Sequence, residues 1–194
     1  MNFNYQKARE TMVENQLRPN KIKDQNILNL FKKIPKENFL PNEINEIPYS
    51  DLDINLISNR GYLKNLHIAQ LINSAEIKKT HKILHIGSLT GYVTVLLANL
   101  CFKVTAIEIN QELKKELRNN INSLNVNNIN IAEGSFEQGY ADESPYNIIF
   151  IDTPIKKIDD KILNQLEKNF GKVIMIKKNK NNLNKAIKIT RNKD

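Results

Sequence analysis

The chain has a single cysteine, Cys101, and no clustering of cysteine with histidine. That rules out an internal disulfide and argues against a structural zinc site, so no metal is expected. Between Leu100 and Phe102, the cysteine reads as a small core residue more than a reactive thiol. Long apolar runs are also missing. The best candidate, Val93-Thr94-Val95-Leu96-Leu97-Ala98, is interrupted within a few residues, well short of a membrane span. The opening Met1-Asn2-Phe3-Asn4-Tyr5-Gln6 lacks the apolar stretch of a secretory signal. A cytoplasmic protein with no membrane partner is the expectation. Arginine is scarce: Arg9, Arg18, Arg60, Arg118 and Arg191 are the only ones, so lysine supplies most of the +8 formal charge. Lysine, asparagine and isoleucine are spread throughout, whereas a nucleic-acid site clusters arginine and aromatics on one face. The one dense basic block, Lys177-Lys178-Asn179-Lys180, reads as a solvated or disordered stretch, and no nucleic-acid partner is expected.

What remains is ordinary globular material: 194 residues, 40% hydrophobic and 26% charged, enough for one domain with a sizeable core. Residues 1–80 read as a helical N-terminal extension. Tyr5 to Leu17 carries Ala8, Met12 and Val13 near helical spacing and stops at Pro19. Asp24 is placed to cap a second helix bearing Ile27, Leu28, Leu30 and Phe31 ahead of Pro35. Pro35, Pro41 and Pro48 punctuate a connecting region with little periodicity, and a helix returns from Leu66 to Ile77.

From residue 81 to 194 the texture changes. Short apolar strands (Lys82–Ile86, Val104–Ile107, Ile129–Ala132, Ile148–Ile151, Lys172–Ile176) alternate with helices near Gly91–Leu100, Gln111–Leu124 and Asp159–Lys168. This alternation predicts an α/β fold with a doubly wound, mostly parallel sheet. Its first strand runs into the turn Gly87-Ser88-Leu89-Thr90-Gly91. Glycines there let backbone amides approach a polar ligand and allow positive φ, which makes Gly87, Ser88, Thr90 and Gly91 candidate ligand contacts. Glu108 ends the second strand about twenty residues further on, where a carboxylate can accept both hydroxyls of a ribose; the competing reading is an exposed capping glutamate. Ser135 and Phe136, after the third strand, are placed to line an adenine pocket. Asp152 ends the fourth strand, either facing the same crevice or capping the next turn.

The run from Ala8 to Pro19, Ile34-Pro35-Lys36-Glu37-Asn38-Phe39-Leu40-Pro41, Pro48-Tyr49-Ser50-Asp51, the turn from Leu84 to Leu97, Glu133-Gly134-Ser135 and Pro145-Tyr146-Asn147-Ile148-Ile149 occur in unbroken order. Together they resemble the bacterial protein-L-isoaspartate O-methyltransferases. The resemblance implies a class I, Rossmann-like methyltransferase fold; against that pattern, a stop at Asp194 soon after Ala186-Ile187-Lys188-Ile189 leads to the expectation of a shortened C-terminal hairpin. The resemblance also implies S-adenosylmethionine as cofactor, bound by the glycine turn, Glu108, Ser135 and Phe136. The implied acceptor is the carboxyl of an isoaspartyl residue in a damaged protein. Such chemistry needs no classical base, because the sulfonium activates the methyl and the carboxylate is already ionised at neutral pH. The chain departs from the family pattern at four places. Leu89 replaces a glycine, Ser135 stands where aspartate is common, and Asn147 replaces the aspartate of a Pro-Tyr-Asp run. The stretch Asn59–His67 lacks the substrate loop's serine and proline, so no catalytic residue is assigned. Two alternatives stay open. One is a catalytically silent scaffold that keeps the fold. The other is a nucleic-acid methyltransferase, disfavoured because Ile151-Asp152-Thr153-Pro154 stands where a catalytic Asn-Pro-Pro-Tyr-like tetrapeptide would be.

Overall fold

The computed structural model describes residues 4–41, 44, 48–58, 60–179 and 184–192. The chain forms two compact units, residues 1–73 and 74–194.

In the first unit Asn4 caps α1 (Tyr5–Met12), its side chain accepting the Lys7 amide. The helix loosens into a π turn over Val13–Leu17, where Val13 and Leu17 are buried. Asp24 caps α2 (Gln25–Lys33) by accepting the amides of Asn26 and Ile27, and Ile27, Leu28 and Phe31 form the buried stripe. The proline-punctuated region conceals an antiparallel pair too short for periodicity to reveal, β1 (Ile54–Ile57) and β2 (Arg60–Tyr62). Gly61 makes that pairing possible, since a Cβ there would sit 1.8 Å from the Ile54 carbonyl oxygen. The helix α3 (Asn65–Ala75) follows in the chain.

Three of the N-terminal runs singled out in the sequence meet in this unit. The Arg9 guanidinium pairs with Glu37, and the Tyr49 hydroxyl donates to the same carboxylate. Arg9 Nε donates to the Lys32 carbonyl at 3.1 Å, Gln16 to the Tyr49 carbonyl at 2.9 Å, and the Lys36 amide to the Tyr49 hydroxyl at 2.9 Å. Residues far apart in sequence are thus tied by one polar knot, which gives them a structural reason to occur together.

The second unit is a six-stranded sheet in the order β5-β4-β3-β6-β7-β8, comprising β3 (Lys82–Ile86), β4 (Lys103–Ile107), β5 (Ile129–Ala132), β6 (Ile148–Ile155), β7 (Lys172–Lys178) and β8 (Asn184–Thr190). All neighbouring pairs are parallel except β7–β8. The predicted doubly wound sheet is what forms, with α4 (Tyr92–Ala98) and α5 (Gln111–Ser123) in its crossovers. Leu84, Ile86, Ile107, Ile149, Ile151, Val173 and Met175 build the core. Cys101 is a buried residue, as expected, and burial pushes its thiol up to about 12.

One expectation needs correction. The helix expected over Asp159–Lys168 shrinks to α6 (Asp160–Leu163). The Tyr146 amide donates to the Gln165 carbonyl and the Glu167 amide to the Tyr146 carbonyl, so the chain is drawn out alongside Tyr146. Of the basic block, Lys177 and Lys178 form the exposed, solvated end of β7, paired with Lys185 and Asn184, while Lys180 lies outside the described residues. The strand β8 forms the sheet edge, with none beyond it among the described residues.

Candidate active site

At the carboxyl end of β3 the chain turns through three left-handed residues, Gly87 (φ 86), Leu89 (φ 52) and Gly91 (φ 102), before entering α4. The first two amides of the turn, Gly87 and Ser88, donate to the Ile107 carbonyl at 2.9 and 3.1 Å, locking it to the tip of β4. Leu89 follows the backbone path that favours glycine while carrying a side chain that is 1% exposed. For a branched residue that conformation costs about 1–2 kcal/mol. The substitution therefore leaves a glycine-like trace and fills the space beneath it.

Glu108 is fully buried. Its Oε2 accepts the Leu89 amide and its Oε1 the Asn110 amide, both at 2.9 Å. The exposed-cap reading is thereby excluded, and Asn110 itself caps α5 by accepting the Leu113 amide. Ser88 and Thr90 are also buried, and the Thr90 carbonyl accepts the side-chain amide of Asn120 at 2.8 Å.

Beyond β5, Ser135 and Gly139 pair across a tight loop. The Ser135 hydroxyl takes the Gln138 amide at 3.0 Å, and Phe136 packs on the sheet core. Gly134 is required here, because a Cβ would lie 2.5 Å from the Gly139 carbonyl oxygen and 2.7 Å from Ile107. Asn147 lies at the opposite end of the sheet. Its side-chain oxygen accepts the Lys82 amide at 2.8 Å, so the loss of the family's aspartate falls away from the strand tips.

The residue that sequence reasoning missed is His85, in the middle of β3. Asp152 does not cap a turn, since β6 runs through it to Ile155. Its Oδ1 lies 3.2 Å from Nε2 of the fully buried His85, whose Nδ1 is 2.9 Å from the Thr94 hydroxyl. A polar ring inside the apolar run Ile83-Leu84-His85-Ile86 was the available signal, because a buried imidazole must find partners. In the first unit, Ser58 occupies a left-handed turn and His67 is an exposed residue of α3, while Asn59 lies outside the described residues.

A parallel sheet wound outward on both sides of β3 and β6, a glycine turn at its centre and an acid at the neighbouring strand tip define a class I methyltransferase fold. The sequence model described as protein-L-isoaspartate(D-aspartate) O-methyltransferase matches residues 7–194, spanning both units, and the chain belongs to that family. The protein-L-isoaspartate O-methyltransferase of Methanoculleus marisnigri is 30% identical over 162 residues, covering 84% of this chain and 74% of that one. Protein-L-isoaspartate O-methyltransferase 1 of Syntrophobacter fumaroxidans is also 30% identical, with 84% and 77% covered. Two solved structures share the fold. A protein-L-isoaspartate O-methyltransferase superposes with a TM-score of 0.83 at 22% identity, over 96% of this chain and 60% of that chain. A putative enzyme of the same name from Plasmodium falciparum, in complex with S-adenosyl-L-homocysteine, gives 0.72 at 20% identity, over 100% and 96%. The chain is a methyltransferase of the family that uses S-adenosylmethionine to methylate isoaspartyl residues in protein repair. No described helix is long and apolar enough to cross a membrane.

Proposed function

We propose that Gly87, Ser88, Thr90, Gly91, Glu108, Ser135 and Phe136 hold S-adenosylmethionine at the strand tips for transfer to an isoaspartyl carboxyl. The observation carrying this reading is Glu108, a buried carboxylate fixed at the β4 tip by one backbone amide of the glycine turn and one of its own loop. Burying such a charge is costly without a dedicated use, and a ribose diol is the neutral partner this position suits. When bound, the cofactor supplies a methyl already activated by its sulfonium. The chain's part is to orient and to exclude water: the left-handed turn sets the backbone, Glu108 the ribose, Ser135 and Phe136 the base. No side-chain base is required, because the acceptor oxygen is anionic at neutral pH.

Both units are read as one catalytic domain acting in the cytoplasm on isoaspartyl-containing proteins, without nucleic-acid or membrane partners. The lone buried Cys101 supports such a compartment. One feature favours a second reading. The buried Leu89 side chain in the glycine turn would suit a scaffold that has given up its cofactor. Calorimetric titration with S-adenosylhomocysteine, followed by methylation of an isoaspartyl peptide, separates the two. Binding with turnover is expected, and absence of binding would leave the scaffold.

A further inference from the structure

Asp152 is 7% exposed, and only one of its oxygens is engaged. Oδ1 meets His85; the second oxygen accepts no hydrogen bond from the described residues, and no lysine or arginine among them pairs with this carboxylate. The histidine is held on every side. Thr94 on α4 lies at 2.9 Å from Nδ1, the Ser88 hydroxyl at 3.4 Å from the same atom, and the Phe150 ring stands edge-on at 5.7 Å. A carboxylate only accepts, so Nε2 carries the proton toward Asp152 and Nδ1 takes the Thr94 hydroxyl's. The neighbouring β4 position is Ala106, small enough to leave the ring room. His85 thus fixes the orientation of Asp152 with a single donor, where a lysine or arginine would bring a full opposing charge.

The sheet order sets where this carboxylate stands. Strands β4 and β6 flank β3, so Glu108, the glycine turn and Asp152, which the β3–β6 register sets level with that turn, follow one another across the sheet. A ligand with its ribose at Glu108 extends over the turn toward β6, because the crevice of such a sheet opens where the winding reverses. Asp152 is poorly suited to face the acceptor, since two carboxylates close together repel. It is well suited to a cation. We propose that Asp152, positioned by His85, is the subsite for the ammonium group of the cofactor's methionine moiety, an inference that rests on the cofactor reading above.

The test compares two ligands on the full chain by calorimetry. S-adenosylhomocysteine carries the ammonium, and 5′-methylthioadenosine shares the nucleoside and thioether but lacks the amino acid. Asp152→Asn is expected to weaken S-adenosylhomocysteine by about tenfold to a hundredfold, the scale of one hydrogen bond to a charged group, and to leave methylthioadenosine unchanged. His85→Gln keeps the carboxylate but frees its orientation, and a smaller loss, again confined to S-adenosylhomocysteine, is expected. Equal weakening of both ligands would assign the pair a purely structural role and overturn the proposal, as would unchanged S-adenosylhomocysteine affinity in Asp152→Asn. If the unaltered protein bound neither ligand, the cofactor reading itself would fall, and this inference with it.

Discussion

The two ends of the parallel sheet hold acidic groups in opposite ways. At the amino-terminal end, Glu143 accepts from Lys103 Nζ at 2.8 Å, from Asn130 at 2.8 Å and from the Thr105 hydroxyl at 2.5 Å. Burial works against its charge, yet these partners hold its carboxyl below the usual carboxylate range. At the carboxyl end, Glu108 is fixed by backbone amides and Asp152 by one imidazole. A carboxylate matched to a lysine is neutralised within the fold. At the other end the carboxylates accept from backbone amides and meet a histidine ring. On the cofactor reading proposed above, the first end is structural and the second serves the ligand.

The most demanding way to break that contrast is Glu108→Ala. The buried Leu89 amide and the partly buried Asn110 amide lose their acceptor, and the expected loss of stability is about 1–4 kcal/mol by denaturant unfolding. S-adenosylhomocysteine affinity is expected to fall by about tenfold to a hundredfold in the folded fraction, and unchanged affinity would remove Glu108 from the site. At the other end, Glu143→Gln is expected to cost about 1.5–3 kcal/mol of stability while leaving that affinity unchanged. A drop in affinity there would erase the distinction between the ends.

Leu89→Gly sharpens the comparison within the turn itself. Removing a buried leucine side chain costs about 2–5 kcal/mol, and relief of the left-handed strain returns about 1–2, so a net destabilisation of up to about 4 kcal/mol is expected. Cofactor binding is expected to tighten, because the side chain no longer crowds the floor of the crevice. The checks are a lower melting temperature for the free protein and a larger upward shift on adding S-adenosylhomocysteine. Weaker binding would mean that the leucine supports the site.

The sheet, its strands and the glycine turn were legible because short apolar runs broken by helical segments leave few other arrangements. Asp24 was legible as a cap for the same local reason. What escaped was non-local. The partnership of His85 with Asp152 joins residues 67 positions apart, and β3 read only as an apolar run. The knot of Arg9, Glu37 and Tyr49 appeared in the sequence as three separate family likenesses with no visible reason to travel together. The pair β1–β2 was too short to show alternation, and α6 was overdrawn because the pull of Tyr146 on Gln165 and Glu167 leaves no periodic trace.

A buried charge in the first unit sets the smallest and most specific test. Lys36 is fully buried and its ammonium is held by the Asn65 side chain at 3.1 Å and the Leu63 carbonyl at 3.4 Å, 5.6 Å from the Tyr62 ring centre. Burial lowers its pKa from 10.5 to about 7, against a smaller raising influence from Asp53. The sign follows from proton counting. Between those two values the unfolded chain binds more protons at this residue than the folded one, so stability rises with pH. Below about 7 both states are protonated and the burial cost is borne in full. The useful window is pH 7 to 8.5. His81, lowered from its usual value, adds only a small rise at the bottom of that window, and Cys101, raised by burial, has scarcely begun to act against the fold. Across that window Lys36 contributes a rise of about 1.5 kcal/mol in unfolding free energy, approaching 1.36 per pH unit. Lys36→Met is expected to flatten the rise in urea unfolding. A slope equal to that of the unaltered protein would mean the ammonium stays charged throughout, held as firmly as Lys103 holds Glu143.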